Sequence, residues 1–231
     1  MSALKKTIKK QFGELWRTRY PTFVHASPGH LLRRHGPLLL GIAIEPGSNE
    51  REYDPVIHAH CLAIESEDIS LSLAGHLVNR HGVPDRVPRD PKDFRDWRVF
   101  ERYEQQYPAI TDSRFSFNDY VRLVRGYLTG KHGYPVNFQV WPYHDLLVVA
   151  AWCGLKEYAL RALDRAIEAT TSWEEACFSV VGGREGWRRK IVALARDPSP
   201  LEQTINSEVE RHSLRDLPDH RLLIDDEPEY L

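Results

Sequence analysis

Pro84, Pro88 and Pro91 punctuate a short run of Arg and Asp, and the hydrophobic periodicity on one side of that run is incompatible with the periodicity on the other. Before it, apolar residues fall mostly in short runs bounded by turn residues, as in strands; after it they recur at three- and four-residue intervals, as on helices. A chain with both patterns in sequence, instead of in alternation, is expected to be α+β. The spacing therefore predicts an N-terminal helix on a small antiparallel sheet over residues 1–83, a helical region over 84–224, and an acidic tail, 225–231, too charged to pack and expected to be mobile.

Within the first part, Leu4, Ile8, Phe12, Leu15 and Trp16 make one apolar stripe between lysines, so Ala3 to Arg19 reads as an amphipathic helix stopped at Tyr20-Pro21. Extended runs follow at Thr22–Val24, Pro37–Ile44 and Pro55–Ile64. The last two are separated by the turn-rich Glu45-Pro46-Gly47-Ser48-Asn49, which predicts an antiparallel pair with a long loop. Ile69, Leu71 and Leu73 alternate with serines as a strand would, while Ser66 could equally cap a helix reaching Leu77.

In the second part, Asp90-Pro91 predicts a helix over 91–106, and Ser116 with Asp119 predicts another helix start. His144 to Cys153 is apolar on every side, which predicts a buried helix ended by Gly154. Leu155, Ala159, Ala162, Leu163, Ala166 and Ile167 give residues 155–169 one packing stripe. Ser172 with Glu175 and Ser199 with Glu202 read as capping boxes for two further helices. The pair at 144–169 is similar to a single tetratricopeptide-type unit, but no second copy occurs at a fixed period, and a solenoid needs about three.

Of the 231 residues, 42% are apolar and 10% aromatic, enough for a core of ordinary size and too much for a disordered chain. No run approaches the roughly 20 apolar residues that cross a bilayer, and the first residues lack the apolar centre of a secretory signal. Cys61, Cys153 and Cys177 are odd in number and sit among apolar neighbours, which fits a reducing compartment and a cytoplasmic protein. The formal charge of −2 hides a polarity: residues 1–40 carry eight Lys or Arg against Glu14, whereas residues 202–231 carry nine acids against three bases.

Histidine is the functional residue type in excess, with 11 in the chain. His58 and His60 share one face of a strand, so both imidazoles could reach one metal ion, with Asp54, His76 or His81 completing the shell. The competing reading is architectural: the two rings border the core and satisfy their protons on backbone carbonyls or a helix end. His35, His81 and His132 each follow a base and precede glycine, as expected where an element ends. His144-Asp145 and Asp219-His220 are adjacent only in sequence, and no nucleophile motif accompanies them. Gly182, Gly183 and Gly186 before Trp187-Arg188-Arg189-Lys190 match no phosphate-binding fingerprint and read as a joint between helices.

Three functional readings follow. The absence of catalytic motifs favours a non-enzymatic binding or adaptor protein, such as an inhibitor or immunity-type subunit of a larger complex, needing no cofactor. Its partner surface would include Phe94, Trp97, Arg98, Arg188 and Arg189, the aromatic and arginine residues that interfaces concentrate. The second reading is a metal- or histidine-dependent hydrolase centred on His58 and His60. The third is a nucleic-acid-binding accessory protein using Lys5, Lys6, Lys9 and Lys10 of the first helix.

Overall fold

The computed structural model describes residues 3–46, 52–78, 87–88, 98–110, 112–130 and 140–231. Helix α1 (Ala3–Arg19) buries Phe12 and Trp16, and the chain turns immediately after it at Tyr20. Four strands follow: β1 (Val24–Ser27), β2 (His30–His35), β3 (Leu38–Pro46) and β4 (Glu52–Cys61). With the short β5 (Gly75–His76) they form an antiparallel sheet in the order β1-β2-β3-β4-β5, and β6 (Val87–Pro88) also pairs with β4. Gly36, at φ 56°, makes the tight reversal between β2 and β3, where His35 pairs with Leu38.

The sheet is covered on both faces. Leu31, Arg33, Leu40, Ile57 and Ala59 share one face by register, and Tyr53 on that face stacks on Phe12 of α1 and accepts a hydrogen bond from Trp16 Nε1 at 3.1 Å. His30, Gly41, Val56, His58 and His60 share the other face. The segment after β4 and the end of the last helix lie against that face, where Ala43, Val56 and Ala74 form a small buried apolar cluster beside the histidines.

The helical region contains α2 (Arg98–Gln106), α3 (Phe117–Leu128), α4 (Trp141–Trp152), α5 (Lys156–Ala169), α6 (Gly183–Arg196) and α7 (Ser199–Arg211), with 3₁₀ turns at Pro108–Ile110 and Glu175–Val181. Helix α4 is buried from His144 through Ala151, because α3, α5, α6 and α7 all pack around it. α5 turns Tyr158, Ala159, Ala162, Leu163 and Ala166 inward, the stripe its sequence carries. A single buried apolar cluster runs from Phe12 to Leu222 and joins sheet and helices. Among the described residues no helix is long and apolar enough to cross a membrane.

Several local expectations are corrected. β2 falls outside the extended runs expected from the sequence; its Arg33 is fully buried, donating to Thr22 Oγ1 at 3.0 Å and to the Ala109 carbonyl at 2.7 Å. The segment Ile69–Leu73 forms neither strand nor helix, although the Ser72 carbonyl accepts from the Ala59 N–H of β4 at 2.9 Å, and the ladder with β4 is formed by Gly75 and His76. Ser116 and Asp119 do form a reciprocal capping box, but Ser172 and Ser199 cap nothing. The residue after Ser172 that starts a turn is Glu175, in a 3₁₀ segment, and the Ser199 N–H is taken by the Asp197 carboxylate at 3.1 Å. The helix expected over 91–106 is described from Arg98 onward.

The acidic tail packs. Leu223 bridges to Ser116, and Tyr230 stacks on Tyr158 at 4.7 Å between ring centres. Its charge, the reason for expecting it to stay free, is met by Arg122 and Arg125 of α3, which pair with Glu229.

Candidate functional site

The two histidines of β4 have different surroundings. His58 is fully buried and leans across β3, where residue 41 is glycine; a Cβ built there would sit 1.8 Å from His58 Nε2. In that space His58 Nε2 meets His30 Nε2 of β2 at 2.8 Å. Burial holds both rings in the neutral range, His30 down to about 4 and His58 well below its ordinary value. One nitrogen of the pair donates and the other accepts, so His58 Nε2 is engaged with His30, while its Nδ1 is buried with no hydrogen-bond partner among the described residues. Asp54 is equally engaged, its carboxylate 2.6 Å from His76 Nδ1, and His81 lies outside the described residues.

His60, two residues along, meets a different set. Its Nδ1 lies 3.1 Å from Ser70 Oγ, which in turn lies 2.6 Å from Ser72 Oγ. Its Nε2 is buried and has no hydrogen-bond partner among the described residues. Facing it from α7 are Glu208 and His212, one helical turn apart, so that both project from the same side of the helix. A donor atom of His60, one of Glu208 and one of His212 lie within 4.8 Å of one another.

Glu208 is a carboxylate with no solvent exposure. Its Oε2 accepts from the Ser66 backbone N–H at 3.0 Å and lies 3.2 Å from His212 Nε2. Arg211 Nε approaches Oε1 to 3.1 Å but without hydrogen-bond alignment, which leaves that oxygen buried and unsatisfied. His60 is held neutral, down to about 4, first by burial and then by His212.

His60 also lines a cleft of about 360 Å³ at the end of β4, together with Ser66, Ser70, Tyr127, Trp141 and Asp145. Asp145, on the first turns of α4, is 7% exposed, and burial alone raises its carboxyl to about 7. Trp141 stands at the rim, 38% exposed.

A second arrangement lies on the far side of α3, where the tail is bound. The Asn118 backbone N–H donates to Asp225 Oδ2 at 2.8 Å, in the first turn of the helix. The Asn118 side chain donates to the Glu227 carbonyl at 3.1 Å and accepts from the Glu229 N–H at 2.7 Å, reading the extended backbone on both its polar groups. Arg122 Nε and Arg125 Nη1 donate to the two oxygens of Glu229 at 2.9 and 3.1 Å, and Arg125 Nη2 also donates to the Tyr230 carbonyl. These guanidinium groups hold the Glu229 carboxyl below its usual range. Arg165 and Arg161 of α5 lie over the Tyr230 ring at 4.5 and 5.2 Å, on a ring also stacked against Tyr158.

Phe94 and Trp97 lie outside the described residues, as do the side chains of Lys5, Lys6 and Arg98. Lys9 pairs with Glu45 at 3.5 Å, Lys10 is exposed, and Arg188 pairs with Asp164 at 3.4 Å beside the exposed Arg189. The glycine-rich joint is occupied internally: the Arg184 N–H donates to Glu175 at 2.8 Å. Sequence reasoning missed Glu208 and His212, although their four-residue spacing on a helix is a ligand pattern, because nothing in the sequence places α7 beside β4. It missed the tail groove because the acids were weighed by charge alone.

Comparison with protein-family models, with curated proteins and with solved structures finds no match for this chain.

Proposed function

We propose that the protein is a protein-binding module, an adaptor or inhibitor-type subunit, whose recognition surface is the groove between α3 and α5. The groove takes an extended acidic segment with an aromatic residue directly after a glutamate. The observation that carries this reading is Asn118, whose side-chain amide bonds both the carbonyl of Glu227 and the N–H of Glu229. Such contacts read backbone, independent of side-chain identity, while the arginine pair and the Tyr158 face select charge and ring.

In the free protein the groove holds the chain's own tail, which acts as a tethered competitor. The attachment is of the exchangeable kind: Arg122 and Arg125 are 57% and 42% exposed, and ion pairs at such exposure contribute little each. The pairing of Lys9, Arg17, Arg19 and Arg188 with carboxylates supports this reading over nucleic-acid contact, which wants such charges unpaired and convergent.

The test is a chain ending at Ile224, titrated with a synthetic peptide of residues 225–231. Saturable binding is expected, abolished by Arg125→Glu in the protein or by alanine in place of Tyr230 in the peptide. The full chain is expected to bind the peptide about tenfold or more weakly, because its own tail competes at high effective concentration. A folded shortened chain that does not bind, or a full chain that binds as well, would overturn the reading.

A further inference from the structure

The geometry points to a divalent metal site of the zinc class at His60, Glu208 and His212, separate from the peptide groove and from the His58–His30 pair.

The site is defined by what is left unsatisfied. Two buried polar atoms, His60 Nε2 and Glu208 Oε1, have no hydrogen-bond partner among the described residues, and one ligand atom from each of the three side chains lies within 4.8 Å of the others; with Nδ1 donating to Ser70, His60 Nε2 is free to act as an acceptor. Buried polar atoms are paired as a rule, and one orphan already costs stability. Two orphans in one cluster, one on a neutral imidazole and one on a carboxylate, call for a cation between them. A charged His212 paired with Glu208 would partly serve the carboxylate, but it would leave His60 Nε2 bare. An ion serves all three.

The surroundings are those that metal ligands use. A ligating imidazole commonly donates its other nitrogen to a second group, and His60 Nδ1 has Ser70 Oγ at 3.1 Å, held in turn by Ser72. The Ser66 N–H fixes the orientation of Glu208 from the segment that follows β4. The His60 and His212 rings stand at 89° to each other with centres 6.1 Å apart, so their nitrogens approach a common point from different directions. Two imidazoles and one carboxylate suit Zn²⁺ or Co²⁺ over Mg²⁺ or Ca²⁺, which prefer all-oxygen shells. Three protein ligands leave a coordination position for water, and His60 borders the cleft that also contains Asp145. The nearest competing charge is Arg211, beside Glu208 Oε1 but 47% exposed and able to swing into solvent.

The experiment uses the full chain, stripped with chelator and titrated with ZnCl₂ by calorimetry and with CoCl₂ by visible absorption. One equivalent of Zn²⁺ is expected to bind, with a matching rise in melting temperature, and Co²⁺ is expected to give the visible bands of a low-coordinate N/O site. His212→Ala, at the helix end, should fold and bind at least 100-fold more weakly; Ser70→Ala should weaken binding about tenfold through the orientation of His60. Glu208→Gln keeps the shape of the site and should also lose binding. Wild-type protein that takes up no stoichiometric Zn²⁺ and shows no Co²⁺ bands would overturn the inference. Binding that survives unchanged in folded His212→Ala and Glu208→Gln would overturn it as well.

Discussion

His58 reaches His30 across an intervening strand, nitrogen to nitrogen at 2.8 Å, because Gly41 between them has no side chain. Neither ring can turn toward His60 without breaking that contact. The register of β3 against β4, which sets Gly41 opposite His58, thus determines which of the two β4 histidines remains available for other chemistry.

Gly41→Ala is therefore expected to destabilise the protein. The new methyl would stand 1.8 Å from His58 Nε2, so the imidazole must move and its partner must lose a hydrogen bond. Overpacking of this kind costs about 1–3 kcal/mol. Urea unfolding should show a lower midpoint at unchanged slope; an unaltered midpoint would mean that the contact with His30 has no energetic weight.

Acid should unfold the protein well before its surface carboxylates titrate. Burial lowers His35 to about 4 and His144 to about 3. Between the unfolded value of about 6.5 and these folded values, the unfolded chain binds protons that the folded chain does not, so stability falls as pH falls through that window. His35 faces Arg33, Asp219, His220 and the Arg221 carbonyl, and His144 accepts from Trp187 Nε1 at 3.2 Å with Lys190 nearby. Melting temperature measured from pH 7.5 down to 4.5 should decline, and more steeply in Asp145→Asn, which removes the opposing buried carboxyl; a flat profile in that variant would contradict the burial of these rings.

Asp145 acts in the opposite direction. Its carboxyl, raised from 3.8 to about 7, keeps its proton in the fold at pH values where the unfolded chain has lost it. The group thus costs stability increasingly as pH rises from about 4 to 7, and fully above that. Asp145→Asn should stabilise the protein at pH 8 by about 1 kcal/mol or more, and change little at pH 4. Equal effects at both pH values would show that ionisation is not the cause.

Sequence periodicity made the larger architecture legible, and tertiary neighbours account for what it missed. The α1 stripe of Phe12 and Trp16, the all-round burial of α4 and the Ser116–Asp119 box are local patterns, and each is present in the structure. β2 was not legible because Arg33 and Arg34 look like surface charge; the groups that receive the buried Arg33 include the Ala109 carbonyl, 76 residues away, Thr22 Oγ1 and the Phe23 ring at 4.5 Å. His60 was singled out from its strand, but its partners Glu208 and His212 come from the far end of the chain. One residue of that cluster was therefore readable, and the strand pattern paired it with His58, whose Nε2 meets His30 instead.

Asn118→Ala should release the tail while leaving the body folded. Two hydrogen bonds to the backbone of Glu227 and Glu229 are lost, at roughly 1 kcal/mol each. Amide hydrogen exchange at residues 227–230 should rise sharply, while α4 amides stay protected. Unchanged exchange in the tail would mean that Arg122 and Arg125 hold it alone.

The hydrogen bond from the Ser66 N–H to Glu208 spans 142 residues of chain. During synthesis the sheet and its covering segment emerge long before α7, so that segment waits on the ribosome without its anchor, and the hollow behind β4 closes only when the last helix arrives. A nascent chain stalled before α7 should accordingly have its sheet paired on one face and open to solvent, chaperones or proteases on the other.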